Sequence, residues 1–329
     1  MSHLDRMRDA RQAVMADALA RWRRRAGERE QNQADLDSKG PGAADSAGRV
    51  ARLAAREAGF AQAATMRREG RLPLGVERKM GPTLDFIEFP PSEAARRAGR
   101  PVARLVTLED PGIELQGYAT GFLIAPNLLI TNHHVFQDRF EAAGAGANFL
   151  YERAERGVQQ GVTFELDPDT FFLTNLALDY SVVAVKPAPA RGTRDGDLGT
   201  LFLIEATPKI LVGQPVQIIQ YPQGKPKAYA IINDRLIDIL DEGFLQYETD
   251  TEEGSSGSPA FSKNWELVAL HHASIPLMRG NDVVSTDGSV WTEAMDDDKV
   301  KWIANEGIRV SAVVKDLSAR TVSVCPRSP

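Results

Sequence analysis

Short apolar stretches separated by turn residues fill the chain from about residue 80 onward, and they limit the possible folds more than any other feature. Each is rich in β-branched or aromatic residues, as in RLVTL, GFLIA, SVVAV, PVQIIQY and ELVAL. Many short runs of this kind, with little helical periodicity between them, predict an all-β protein built as a barrel or a sandwich.

The beginning of the chain has a helical pattern instead. Apolar residues recur there at three- and four-residue intervals, which predicts a first helix near residues 3–26. The same spacing predicts a second helix that starts after a capping residue at Asp45 or Ser46 and ends near Gly70. Between them lies a polar segment with glycine and proline, which we expect to be a flexible connection near residues 31–46.

These patterns divide the chain into a helical head (residues 1–80), a β body (81–315) and a short tail (316–329). The charge is divided similarly, because residues 1–70 carry a net charge of +4 and residues 71–329 a net charge of −10. Acidic residues are interspersed with the arginines of the head. We therefore interpret the head as helices with solvated charged faces, and expect no nucleic-acid partner.

Cysteine content and hydropathy restrict the location of the protein. The single cysteine, Cys325, cannot form a disulfide within the chain, so nothing indicates an oxidising compartment. No signal-peptide core is visible near the start, and the longest apolar segment, residues 121–130, is too short to cross a bilayer. We expect a cytoplasmic protein without membrane association.

Four of the five histidines form two adjacent pairs, and a glycine-rich serine loop lies between the pairs in the sequence. His133 and His134 follow a predicted strand in LLITNHHVF, and His271 and His272 end another in ELVALHHAS. In the intervening TDTEEGSSGSPAF, glycines and a proline on either side of Ser256 favour a tight turn.

Nucleophilic catalysis by serine requires a hydroxyl on an exposed turn, an imidazole as base and a carboxylate that orients the imidazole. Asp179, at the start of an apolar strand in NLALDYSVVAV, is a candidate for the carboxylate. The developing oxyanion also requires backbone N–H donors. The N–H groups of Gly254 and Ser256 are candidates, since a glycine two residues before the serine lets the backbone turn.

The order of these motifs resembles that of the trypsin/chymotrypsin superfamily of serine endopeptidases, and in particular its bacterial branch with the glutamyl endopeptidases. The resemblance rests on ATGFLIA, TNHHV, DYSVVAV, YPQGKPK and GSSGSP, and covers roughly residues 100–312. It implies two six-stranded antiparallel β-barrels, near residues 100–190 and 198–312. It also implies a triad of His134, Asp179 and Ser256, with His133 at a variable position.

The resemblance also points to a specificity pocket, at the residue six before the nucleophile and on the strand after it. The first position is Asp250, next to Thr251, where an acid favours Arg or Lys before the cleaved bond. The second is His271, where glutamyl endopeptidases place a histidine that receives an acidic side chain. An Asp250 carboxylate close to His271 would raise the pKa of the imidazole and pair with it, unless either residue points away from the pocket. We expect a weak preference for a basic residue.

Ser255 stands where animal trypsins have an aspartate that pairs with a newly cut N-terminus. A neutral hydroxyl cannot compensate a buried ammonium, so activation of that kind is not expected. We expect control by a partner protein or by the head instead. Neither a metal nor a cofactor is expected, because the histidine pairs are adjacent and one cysteine cannot build a zinc site.

Two other functions remain open from the sequence. One is a catalytically silent, protease-like binding module, although the motifs are complete. The other is an adaptor whose head, residues 1–80, recruits the protease to a partner. The expected partners are a protein or peptide substrate and a regulatory or recruiting protein bound by the head.

Overall fold

The computed structural model describes residues 2–68, 92–108, 115–192, 197–231, 235–249, 251, 253–292, 294–295 and 299–324. The helices are α1 (His3–Arg24), α2 (Ala26–Lys39), α3 (Ala47–Arg68), α4 (Glu93–Gly99), α5 (Arg139–Ala142) and α6 (Val310–Val324). The strands of the first half are β1 (Val102–Thr107), β2 (Gly117–Ala125), β3 (Leu128–Thr131), β4 (Ala145–Phe149), β5 (Glu152–Ala154), β6 (Gly157–Gln159), β7 (Val162–Leu166), β8 (Phe172–Asn175) and β9 (Tyr180–Arg191). Those of the second half are β10 (Val216–Gln220), β11 (Ala228–Ala230), β12 (Arg235–Ile239), β13 (Phe244–Glu248), β14 (Pro259–Ser262), β15 (Leu267–Pro276), β16 (Met278–Arg279), β17 (Asp282–Val283) and β18 (Trp302–Arg309).

The first barrel is a closed ring of six antiparallel strands in the order β3-β2-β1-β4-β7-β9, in which β9 pairs back with β3. Strand β8 adds a seventh strand along β9. Apolar side chains that alternate along the strands fill the interior, among them Leu105, Leu129, Phe149 and Val183. This interior accounts for the β-branched and aromatic runs in the sequence.

The second barrel has the order β10-β14-β15-β18-β13-β12, with β11 at the edge of β10. A bridge between Pro215 and Arg235 joins its two ends. A further apolar cluster lies between the barrels, where Phe122 and Tyr180 of the first pack with Tyr221 and Phe261 of the second. The predicted trypsin-like double barrel is therefore confirmed, with one additional edge strand on each sheet.

Helix α2 corrects the prediction of a flexible connection near residues 31–46, because the first nine of those residues are helical. Side-chain pairs at four-residue spacing support α2, including Gln31 with Asp35 at 3.2 Å and Gln33 with Asp37 at 2.6 Å. The helix ends where Gly40 adopts a positive φ of 83°. Only residues 40–46 form the connection, since the first glycine and proline of the segment occur there.

Helix α6 places the end of the body later than predicted. The predicted boundary at residue 315 lies inside the helix, so part of the predicted tail is ordered structure. Val310 and Val313 are buried in the cluster between the barrels, and the Tyr180 hydroxyl donates to Asp316 at 2.5 Å. Apolar residues at helical spacing in IRVSAVVKDL explain why this segment is a helix and not an eighth strand.

The head packs against the body, which corrects the interpretation of its charged faces as solvated. Val14, Ala18 and Trp22 of α1 contact a cluster that includes Ala273 and Ile275 of β15. Arginines beside this stripe pair with carboxylates of the body: Arg21 with Glu306, Arg24 with Glu242, Arg25 with Asp238 and Arg56 with Glu266. The excess positive charge of the head thus faces the acidic body. No helix among the described residues is both long and apolar enough to cross a membrane.

Candidate active site

Asp179 and His134 meet at the end of the first barrel, near the cluster between the barrels. The His134 Nδ1 lies 2.9 Å from Asp179 Oδ2, and the backbone N–H of His134 donates to Asp179 Oδ1 at 2.9 Å. The turn that holds Asp179 has a positive φ of 47°, and the Asn132 side chain donates to its carbonyl at 3.0 Å. Burial opposes ionisation of Asp179, but the interactions with His134 and His272 outweigh it and hold its pKa below the ordinary value.

Hydrogen bonds join the loop with Ser256 to β2 of the first barrel and to β15 of the second. Thr120 of β2 donates its N–H to the Ser256 carbonyl at 2.8 Å, and the Gly257 N–H donates to the His271 carbonyl at 3.0 Å. Ser256 is partly exposed, whereas Ser255 is buried and donates to Gln220 at 2.6 Å. The arrangement brings the serine, His134 and Asp179 to one region between the barrels.

The backbone turns at Gly254, two residues before Ser256. Gly254 has a φ of 92°, and its carbonyl accepts from the Thr120 hydroxyl at 2.8 Å. Within the described part of the chain, neither the Gly254 nor the Ser256 N–H has an acceptor. Both donors are therefore available to a negatively charged oxygen.

The hydrogen bond between Ser256 and His134 is not formed in this structure. The His134 Nε2 is buried and has no hydrogen-bond partner among the described residues. Hydrogen bonds of this kind often tighten only in the complex with substrate.

The two histidines of the second pair differ in their surroundings, because His271 faces a hydroxyl and His272 faces two carboxylates. The His271 Nδ1 lies 3.0 Å from the Tyr247 hydroxyl, and burial lowers the pKa of His271 to about 3. His272 lies between two carboxylates, 3.1 Å from Asp179 and 3.1 Å from Glu306. Burial disfavours its charge, but the two hydrogen bonds raise its pKa above the ordinary value.

The residues predicted for the specificity pocket are only partly described. Asp250 lies outside the described residues. Thr251 donates to Asn305 at 2.7 Å and lies 3.3 Å from the Ser274 hydroxyl, which forms a polar cluster at the far end of β15. His271 pairs with Tyr247 and its pKa is lowered, whereas a nearby Asp250 was expected to raise it.

His133, at the variable position, is bonded to Thr174 at 2.7 Å and does not contact Asp179. Three residues that contribute to the site were missed in the sequence: His272, Glu306 and Arg21. His272 directly follows His271 in β15, so the adjacent pair could have indicated the first of these, although the strand has a register irregularity between His271 and Ala273. No sequence signal connects Arg21, in the head, with the site.

Helix α1 crosses the region between the barrels. Near its start His3 stacks on Phe136 at 5.8 Å, and Arg6 pairs with Glu141 at 3.0 Å, both on the first barrel. Arg11 lies 3.5 Å from Glu253 of the serine loop. Further along, its apolar stripe packs on β15 directly after His272.

The part of the chain that holds this site is similar to known proteins. Residues 119–270 match the family model described as trypsin-like peptidase domain. An uncharacterised protein, y4fB of Sinorhizobium fredii, is 36% identical over 72% of this chain and 38% of its own length. The glutamyl endopeptidase of Staphylococcus aureus is 23% identical over 48% of this chain and 47% of its own. The chain therefore spans less than half the length of these two relatives.

Among solved structures, the active form of the Rv3671c protease from Mycobacterium tuberculosis matches with a TM-score of 0.40 and 17% identity, over 74% of this chain and 93% of that one. An inactive form of the same protease matches with a TM-score of 0.42 and 15% identity, over 77% of this chain and 100% of that one.

Proposed function

Because this chain contains a trypsin-like peptidase domain, we propose that it is a serine endopeptidase in which Ser256 attacks the scissile carbonyl. His134 takes the proton from Ser256 and returns it to the leaving amine, and Asp179 orients His134. The Gly254 and Ser256 N–H groups stabilise the oxyanion. The observation that carries the proposal is the double contact of Asp179 with the ring and the backbone of His134.

The experiment is labelling with a fluorophosphonate probe, which reacts with activated serines. Ser256→Ala is expected to abolish labelling, because the nucleophile is removed. Ser258→Ala is the matched control, since its hydroxyl is buried, has no partner among the described residues and lies two residues further along. Labelling that persists in Ser256→Ala would refute the assignment, and an unlabelled wild-type chain would favour a catalytically silent binding module.

We also propose that the head controls the site through α1. His134 is 1% exposed, and α1 contacts both barrels and the serine loop around it. An extended peptide substrate binds by pairing with an exposed strand. Helix α1 packs on β15 beyond His272, so a substrate that pairs there has to displace it.

Substrate choice remains a proposal from the sequence, with a weak preference for Arg or Lys before the cut through Asp250. Because His271 is held by Tyr247, its ring is already engaged. A panel of fluorogenic peptides that differ only before the cut tests this preference, and faster turnover of Glu than of Arg peptides would contradict it.

A further inference from the structure

Two imidazoles share the carboxylate of Asp179, and the second is not required by the triad. The Nδ1 atoms of His134 and His272 lie 2.9 and 3.1 Å from the same oxygen, Asp179 Oδ2. The other ring nitrogen of His272, Nε2, lies 3.1 Å from Glu306 Oε1. His272 thus bridges two carboxylates, and its side chain is 1% exposed.

This geometry determines the protonation state of His272. A neutral imidazole has one N–H donor and one lone pair, so one nitrogen would direct a lone pair at a carboxylate oxygen. Only the doubly protonated imidazolium donates to both Asp179 and Glu306. The ring of Phe244 stacks on His272 at 5.3 Å with an angle of 15° and shields this charge from water.

The second carboxylate beside His272, Glu306, also has partners on other elements. Arg21 of α1 donates to Glu306 Oε1 through Nε at 2.9 Å and Nη2 at 2.6 Å, and Gln246 donates to Glu306 Oε2 at 2.8 Å. His271, the adjacent histidine, is neutral because burial lowers its pKa to about 3. Asp179 and Glu306 are therefore the anions that balance the positive charge of His272. Arg21 also contacts Glu306, and His134 also contacts Asp179.

We propose that His272 is a positioning residue of the catalytic site, an imidazolium that fixes the Asp179 carboxylate. Because of this cation, His134 stays unprotonated down to a lower pH than it would beside Asp179 without His272. The inference rests on the proposed function, since it assigns a role beside the same triad. The physical reason is that a cation on the far side of Asp179 offsets part of the negative charge that stabilises protonated His134.

The first test is ¹⁵N-histidine NMR of the full chain in the Ser256→Ala background, which prevents self-digestion. At neutral pH we expect one buried histidine with the nitrogen shifts of an imidazolium. This signal disappears in His272→Gln and changes to a neutral ring in Glu306→Gln, but remains in His271→Gln, the same change one residue earlier. Only neutral rings at neutral pH would overturn the proposal.

The second test is the pH dependence of Ser256 labelling by the fluorophosphonate probe. In His272→Gln the acid limb of the rate profile should move to higher pH by about one unit, because the cation beside Asp179 is lost. Glu306→Gln should move the limb in the same direction, and the double variant should move it no further than His272→Gln alone, because both act through one charge.

A structural defect alone would lower the labelling rate without moving the acid limb. An unmoved limb in a folded His272→Gln protein would therefore overturn the positioning role. If the wild-type chain is not labelled at all, the proposed function fails and the positioning role fails with it, whereas the NMR spectra still decide whether His272 carries the charge.

Discussion

Gly257 shows how one absent side chain positions the serine loop. Its φ is 85°, and a Cβ at this position would overlap the Thr120 carbonyl oxygen and the Thr131 hydroxyl. The loop approaches β2 and β3 this closely only because the residue is glycine. The hydrogen bond from Thr120 to Ser256 depends on that approach.

Gly257→Ala is therefore expected to destabilise the protein by about 3 kcal/mol or more, through backbone strain and steric overlap together, and to abolish Ser256 labelling. The control is Gly288→Ala, which has the same φ of 85° and no atom within 4 Å of the added Cβ. That variant should lose only about 1 kcal/mol from the unfavourable φ. Equal losses in urea unfolding would show that overlap with Thr120 is unimportant.

His271 is expected to make the protein less stable in acid. Its folded-state pKa of about 3 is below the ordinary value of 6.5, so between these values the unfolded chain binds a proton that the folded chain excludes. The free energy of unfolding thus falls as pH decreases from about 6.5. In urea unfolding at pH values down to about 5, where most carboxylates stay ionised, His271→Gln should reduce this slope by up to about 1.4 kcal/mol per pH unit.

His272 provides the control with the opposite sign. Its pKa is raised, so its stabilisation is fully present below the ordinary value of 6.5 and is lost as pH increases through the folded-state pKa. The stability difference between wild type and His272→Gln should therefore shrink as pH rises above about 6.5. A difference that grows with pH would contradict the raised pKa.

At the scale of residues, the sequence was sufficient to propose His134, Asp179 and Ser256 as a triad, because serine catalysis requires these types and each stands beside a predicted strand. Of these, the structure pairs His134 with Asp179. The sequence was not sufficient for Glu306, whose role depends on strand pairing far along the chain. Glu306 of β18 pairs with Gln246 of β13 and with Ala273 of β15, next to His272 at a register irregularity, and this pairing is a tertiary property.

At the scale of elements, helix α1 has one buried face and one exposed face. One face carries the apolar stripe with Ala18, which is completely buried, and the other is exposed. The stripe was predicted from its spacing, but spacing does not identify the surface that it covers. The structure identifies that surface as the part of β15 after His272.

Ala18→Glu tests whether α1 keeps the site closed. A carboxylate at a fully buried position among Ala273 and Ile275 cannot be accommodated, so the helix should detach. We expect peptide turnover to increase at least about tenfold, which corresponds to about 1.4 kcal/mol lost from the docked state. Ala16→Glu, the same change on the exposed face, should leave turnover unchanged.

Turnover in Ala18→Glu that is no higher than in wild type, with Ser256 still labelled, would contradict control by α1. In that case the head would be better described as an adaptor, as the alternative interpretation of the sequence proposes.

At the scale of the whole molecule, ion pairs join the head and the body. Asp238, Glu266 and Glu306 of the body are buried, and each receives an arginine of the head. The charge division between the two parts was visible in the sequence, but composition alone could not distinguish solvated arginines from paired ones. That distinction needs the three-dimensional position of each carboxylate.

Deletion of residues 2–75 should therefore destabilise the body and not simply release it. Removing one partner of a buried ion pair typically costs about 3 kcal/mol or more, and three carboxylates lose their arginines at once. We expect aggregation or a lower urea midpoint, measured in the Ser256→Ala background. Unchanged solubility and midpoint would contradict this coupling and favour a head that serves only in recruitment.

The paired carboxylates also affect how this protein can change over generations. A head that replaces this one has to present arginines opposite Asp238, Glu266 and Glu306, or substitutions in the body have to remove those charges at the same time. Exchange of the head alone would therefore leave these buried carboxylates without their arginines.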